Sequence, residues 1–184
     1  MKKLTILCVA CAICLMGCAS KKAADDVPNR VGKEGVQMPE WVMSGAQAED
    51  GIYAVGAAKM SNRVNSITAA RTNGRAELLR TVQSTLKSAI TTYAEDTGVP
   101  SQTLNYMEAA TVERTAGILQ GSQQKDYWMD EDGTVYVLMY LPFKGLAVEA
   151  NNIIDDYVTD AKTKITEEKV AAALKKYNLL NSAE

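Results

Sequence analysis

The clearest hydrophobic rhythm in the chain begins at Ser66. Ile67, Ala70, Gly74, Leu78, Val82, Leu86, Ile90 and Tyr93 recur three and four residues apart, an apolar stripe along one side of a long helix. Asn65 or Ser66 is placed to cap it, and Thr97-Gly98-Val99-Pro100 to stop it. Ahead of the helix, Ile52–Ala58 (IYAVGAA) lies between Asp50-Gly51 and Ser61-Asn62 and reads as a strand. Gly56, the neighbouring alanines and Gly74 predict that helix and strand approach closely, because a glycine in either element costs stability unless something packs against it.

Beyond Pro100, Ser101–Thr111 predicts a short helix with Leu104, Met107 and Ala110 inward. Val112–Met129 reads as extended, with a bulge or bend at Gly121. Asp130-Glu131-Asp132-Gly133 makes a turn into Thr134–Leu141 (TVYVLMYL), the strongest strand pattern in the chain. Val135, Val137, Met139 and Leu141 form one face, and Thr134, Tyr136, Leu138 and Tyr140 the other. Both faces are largely apolar, so both are expected to be covered, one facing helices and the other available to a partner subunit. Pro142 ends the strand. Gly145–Lys164 is a further amphipathic helix, and Val170, Ala173, Leu174 and Tyr177 carry helical spacing into the tail. The predicted fold class is α+β: a long amphipathic helix on a small antiparallel sheet of about three strands, in β-α-β-β order, with a further C-terminal helix.

The N-terminal end follows a different pattern. Residues 8–18 (CVACAICLMGC) hold four cysteines at the spacing of an iron–sulfur loop. However, no Pro follows Cys18, and no cysteine occurs after it. Met1-Lys2-Lys3 precedes an uncharged apolar run from Leu4 to Gly17, too short to span a bilayer and typical of a signal peptide. Leu15-Met16-Gly17-Cys18 resembles the lipobox of bacterial lipoprotein precursors, although Met16 departs from the usual small residue. The resemblance implies diacylglyceryl transfer to the Cys18 sulfur, cleavage between Gly17 and Cys18, and N-acylation of the new terminus. Only a thiolate is nucleophilic enough to form that thioether at neutral pH, and two or more acyl chains anchor stably. The expected division is residues 1–17 as signal peptide, 18–38 as lipidated Cys and flexible tether, and 39–184 as one α+β domain with a C-terminal helical extension. Twenty tether residues reach ~65 Å fully extended and roughly 25 Å as a coil; the alternative for this stretch is an ordered N-terminal arm.

Charge and composition then exclude several classes. Losing Lys2 and Lys3 takes the formal charge from −2 to −4, and no basic stripe marks a nucleic-acid binder. The chain has no histidine, which removes the commonest general base and metal ligand. Fitting an EF-hand loop to Gly133 puts Trp128 and Met139 at ligand positions, so the acidic turn reads as a plain hairpin. Asp155-Asp156 and Glu167-Glu168 are adjacent on helices, do not face each other, and read as surface charge. Lys144-Gly145 lacks a Gly-rich phosphate loop. Arg71, Arg75, Arg80 and Lys87 lie off the apolar stripe, either as a solvated face or as a surface for lipid headgroups or an acidic partner. No catalytic, cofactor-binding or metal-binding residue is assigned.

Several of these features recur together in one family. The order is a lipobox, a polar tether, Pro39-x-Trp41, a Tyr-Ala-Val-Gly-Ala strand (Tyr53–Ala57), an Ala-Arg-x-x-x-Arg-Ala-Glu-Leu helix (Ala70–Leu78) and Asp-Gly-x-Val-Tyr-Val-Leu (Asp132–Leu138). It resembles the LPP-twenty family of bacterial outer-membrane lipoproteins over about residues 39–160. The resemblance implies a compact α+β domain. It also implies a role as a surface antigen or in flagellum-associated assemblies, with no catalytic residue. The expected function is a non-enzymatic outer-membrane lipoprotein, held to the membrane through its lipid anchor and acting as a structural or interaction module. Its expected partners are further copies of itself or cell-envelope and flagellar proteins, and not nucleic acid. The alternative is a binding module for a lipid or small apolar ligand held between long helix and sheet.

Overall fold

The computed structural model describes residues 30–159, 161 and 163–181. A one-turn helix α1 (Trp41–Ser44) leads to strand β1 (Gly51–Ala58) and the long helix α2 (Arg63–Thr97). Helix α3 (Ser101–Ile118) and a 3₁₀ turn (Leu119–Gly121) follow, then β2 (Gln123–Met129), β3 (Val135–Pro142), α4 (Phe143–Tyr157) and α5 (Glu167–Asn181). The strands form one antiparallel sheet in the order β1-β3-β2. Helix α2 packs on β1 and β3; α3, α4 and α5 pack on α2, and α4 also packs on both α3 and α5. The expected α+β architecture is the observed one.

The apolar stripe of α2 supplies the core. Ala70, Leu78, Val82, Leu86 and Ile90 are fully buried and meet Ile52, Ala54, Val135, Val137, Met139 and Leu141 from the sheet. From α4, Phe143, Leu146, Ala150, Ile153 and Ile154 complete the same cluster, and Val170 and Ala173 of α5 join it. The 35 residues of α2 span about 52 Å at 1.5 Å per residue. It stops as expected at Gly98, whose φ of 72° is left-handed and whose N–H reaches Ala94 O. It starts earlier than expected. Asn62, not Asn65 or Ser66, is the cap, and its side chain accepts from Asn65 N at 2.9 Å. The Ser66 hydroxyl instead donates to Asn62 O and accepts from Met60 N.

Three further expectations are corrected. Helix α3 runs to Ile118, so Val112–Ile118 is helical and not extended. Its buried Thr111 and Thr115 satisfy their hydroxyls on Met107 O and Thr111 O, one turn back, which removes the usual objection to β-branched polar residues in a buried helix. The bulge lies between Gln124 and Asp126, while Gly121 sits in the 3₁₀ turn. Helix α4 ends at Tyr157, short of Lys164. The chain then turns back, and Asn151 holds it: its amide donates to Ile165 O and accepts from Ile165 N, both at 2.9 Å. Ile165 is thereby buried beneath α5.

Of the segment 18–38, residues 30–38 are described, and they follow the alternative reading of an ordered arm. Residues 30–38 form a small loop closed by a Val31–Gln37 bridge and by Gly32 N–H to Val36 O at 2.8 Å. The loop lies on β2, with Lys33 N–H bonded to Met129 O at 3.0 Å and the Trp128 indole donating to Val36 O at 2.9 Å. This arm also answers the question of what covers the second face of β3. Met38, Trp128, Leu138 and Tyr140 are all buried yet stand apart from the inner core. The arm and aromatic contacts, Tyr53 on Tyr140 and Trp128 on Tyr136, close much of that face within one chain.

Candidate interaction surface

The contact between α2 and the sheet is made by backbone. A Cβ on Gly56 would fall on Ala70 O and Gly74 N, and 2.7 Å from Gly74 Cα. A Cβ on Gly74 would come 2.7 Å from Met139 Cγ. Such distances lie far inside van der Waals contact; at Gly56 the space is filled by backbone, and at Gly74 the Met139 side chain would have to move aside. At this crossing there is no room between α2 and β1 for a bound molecule.

The two edges of the sheet differ. On β2, the free edge carries Lys125 and Asp126, is interrupted by the bulge at Lys125, and has Met129 O already taken by the arm. Charge, a bulge and a covering segment are the usual ways of blocking an edge. On β1 charge and bulge are missing: Gly51–Ala58 has no charged residue, no proline and no bulge. Its hydrogen-bonding parity follows from three contacts. Gly51 stands opposite Pro142, which has no N–H to give. Phe143 N–H bonds Asp50 O at 2.9 Å, so the neighbouring pair is the bonded one. Asn73 Nδ2 takes Ala57 O at 2.8 Å from outside the ladder. Tyr53, Val55 and Ala57 therefore turn their N–H and C=O groups away from β3. The main-chain groups of Tyr53 and Val55 meet no partner among the described residues.

At the β2–β3 end, charges are paired internally. Asp130 is nearly buried and takes Arg30 at 3.0 Å, while Lys59 reaches Asp132 at 3.2 Å. Arg63 pairs with Glu34 at 2.6 Å and donates to the Tyr127 hydroxyl, which in turn donates to Glu34 at 2.9 Å. The hairpin reading of 130–133 is the observed one: Gly133 has φ 88°, and Asp130 N–H bonds Thr134 O at 2.8 Å. Thr134 N–H bonds the Asp132 carboxylate and, with Lys59, holds its pKa down at about 2. Tyr140 is pushed up to about 12, first by burial and then by the neighbouring Asp50 carboxylate.

The other sequence candidates resolve as follows. Cys18 and Gly17 lie outside the described residues. Arg71 bonds the neutral amide of Gln124, while Arg80 pairs with Glu77 on its own helix and Lys87 with Glu108 at 3.1 Å, so two of the four basic groups are neutralised. Asp155 and Asp156 diverge, one to Lys164 and the other to Arg114. Arg114 also faces Glu149 and ties α3 to α4; its pKa is raised, chiefly by the bond to Asp156. Lys144 and Gly145 are exposed. Trp41, of the Pro39-x-Trp41 feature, donates its indole N–H to Asp126 at 3.1 Å. An open groove of about 560 Å³ lies where the 46–53 segment meets α5, lined among others by Tyr53, Thr81, Phe143 and Leu174.

Sequence reading missed Asn151, Arg30 and Arg114. Each acts on a partner more than ten residues away, and no local spacing marks it. A family model described as LPP20 lipoprotein matches residues 39–141, from the first residue after the arm through nearly all of β3. No curated protein and no solved structure matches the chain.

Proposed function

The chain belongs to the LPP20 lipoprotein family, and on that premise we propose that it is a non-enzymatic outer-membrane lipoprotein working as a structural module. It is anchored through acylated Cys18 after cleavage at Gly17, and copies of it pair along β1. Envelope anchoring follows from the family and the lipobox. Ala19 after the anchor resembles the residue choice that sorts lipoproteins to the outer membrane. The non-enzymatic reading draws on the lack of any histidine in the sequence. Flagellar or other envelope assemblies are the setting that the resemblance implies.

The observation that carries the pairing is the contrast between a guarded β2 edge and an unguarded β1 edge. Antiparallel pairing centred on Ala54 sets Tyr53 of one copy against Val55 of the other. Every unpartnered main-chain group of those two residues is then bonded, and Asn73 keeps its hold on Ala57 O. The alternative, a binding module for a lipid or small apolar ligand, would have to use the open groove beside Tyr53 and Thr81, since backbone fills the crossing at Gly56 and Gly74.

Val55→Pro tests the pairing. Proline removes an N–H that faces the free edge and leaves the β1–β3 ladder intact. In sedimentation of the chain from Ala19 onward, the wild type is expected to run as a dimer. Val55→Pro is expected to run as a monomer with near-unchanged thermal stability. A wild type that stays monomeric at tens of micromolar would sink the pairing.

A further inference from the structure

We propose that the end of the domain from which the N-terminal segment leaves rests against the lipid surface, with Met60, Val64, Val31 and Val36 in contact with the bilayer interface. This rests on the anchoring through Cys18 proposed above.

The residues come together by topology. Ala58 and Met129 both pair with Val135, so the end of β1, the end of β2 and the start of β3 share one side of the molecule. The first turn of α2 follows β1 there. The arm reaches the same end through Lys33 on Met129 and Glu34 on Arg63. Val64 is 71% exposed, Met60 54%, Val36 54% and Val31 43%, four of the nine large apolar side chains left exposed among the described residues. Nothing among the described residues covers them.

The charges around them are balanced. Arg30, Lys33, Lys59 and Arg63 stand among Glu34, Asp130, Glu131 and Asp132, and three ion pairs join six of the eight. The surface therefore offers headgroups little net charge, and apolar contact is what it has to give. Such contact is weak for a free domain. It becomes effective when a tether holds the surface close, because the local concentration of bilayer is then high.

The length of chain supplies that condition. Eleven residues lie between Cys18 and Arg30. They allow at most about 40 Å of reach, and roughly 20 Å as a coil. Arg30 itself is fixed to this end of the sheet by Asp130. The anchor thus draws this end, and not the far end of α2 at Gly98, towards the membrane.

Cys18 is acylated under this reading and no cysteine follows it, so single reporter cysteines are straightforward to introduce. Val64→Cys and Met60→Cys would each carry an environment-sensitive fluorophore on the full lipidated protein in phosphatidylethanolamine–phosphatidylglycerol vesicles containing a nitroxide-labelled lipid. Val112→Cys on α3 and Val148→Cys on α4 are the controls, at 61% and 54% exposure. The expected result is at least twofold stronger quenching at 64 and 60 than at the controls. Equal, weak quenching at all four positions in protein that floats with the vesicles overturns the docking and leaves the anchor standing. Protein that fails to float overturns both.

Discussion

At the scale of single residues, Gly56 and Gly74 do the most to define the fold. They let α2 approach β1 until backbone meets backbone, and the core stripe of α2 is placed by that approach. Their sensitivities should differ. The space beside Gly56 is filled by backbone atoms, which cannot move aside; beside Gly74 the nearest atom is the flexible Met139 side chain. Gly56→Ala should cost roughly 2–4 kcal/mol. Gly74→Ala should cost under about 1 kcal/mol, because the helix gains intrinsic propensity. Urea midpoints at constant slope would measure both, and equal losses would refute the ordering. These glycines were legible in the sequence, since a glycine inside an apolar pattern asks for a reason. Asn151 was not: a polar residue on an amphipathic helix looks solvated until its partner, the backbone of Ile165, is known.

At the scale of elements, the sequence located β1, α2 and β3 almost to the residue, because their periodicities are long and end in Gly, Pro or Asn. It shortened α3, where β-branched threonines and a valine suggest strand. Buried threonines that bond one turn back in a helix leave no trace in the pattern. It also extended the tether to residue 38, because a polar segment such as the arm can be held by distant partners, here Asp130, Met129 and Trp128. The β2–β3 turn has its own testable property. Asp132 titrates near 2 in the fold, below its ordinary value near 3.9. Its contribution to stability is complete above the unfolded value and is lost as pH falls towards 2. The difference in urea midpoint between wild type and Asp132→Asn should therefore be constant from pH 7 to 5 and shrink between pH 4 and 2. A difference that does not change with pH would contradict the assignment.

At the scale of the whole molecule, the parts divide the work. A buried seam of glycines and aliphatics fixes the domain, a docked arm fixes the point from which the tether leaves, and β1 is left as an open edge. Much of the proposed function was legible in sequence because Cys18 and its lipobox are local signals. The open edge was not, since strand order and pairing parity exist only once β3 has chosen both its neighbours. The account depends most on the tether being an anchor. Cells expressing Cys18→Ser should release the protein from the membrane fraction into the soluble envelope fraction, while the unaltered protein sediments with membranes. Identical membrane fractionation of both would contradict the account.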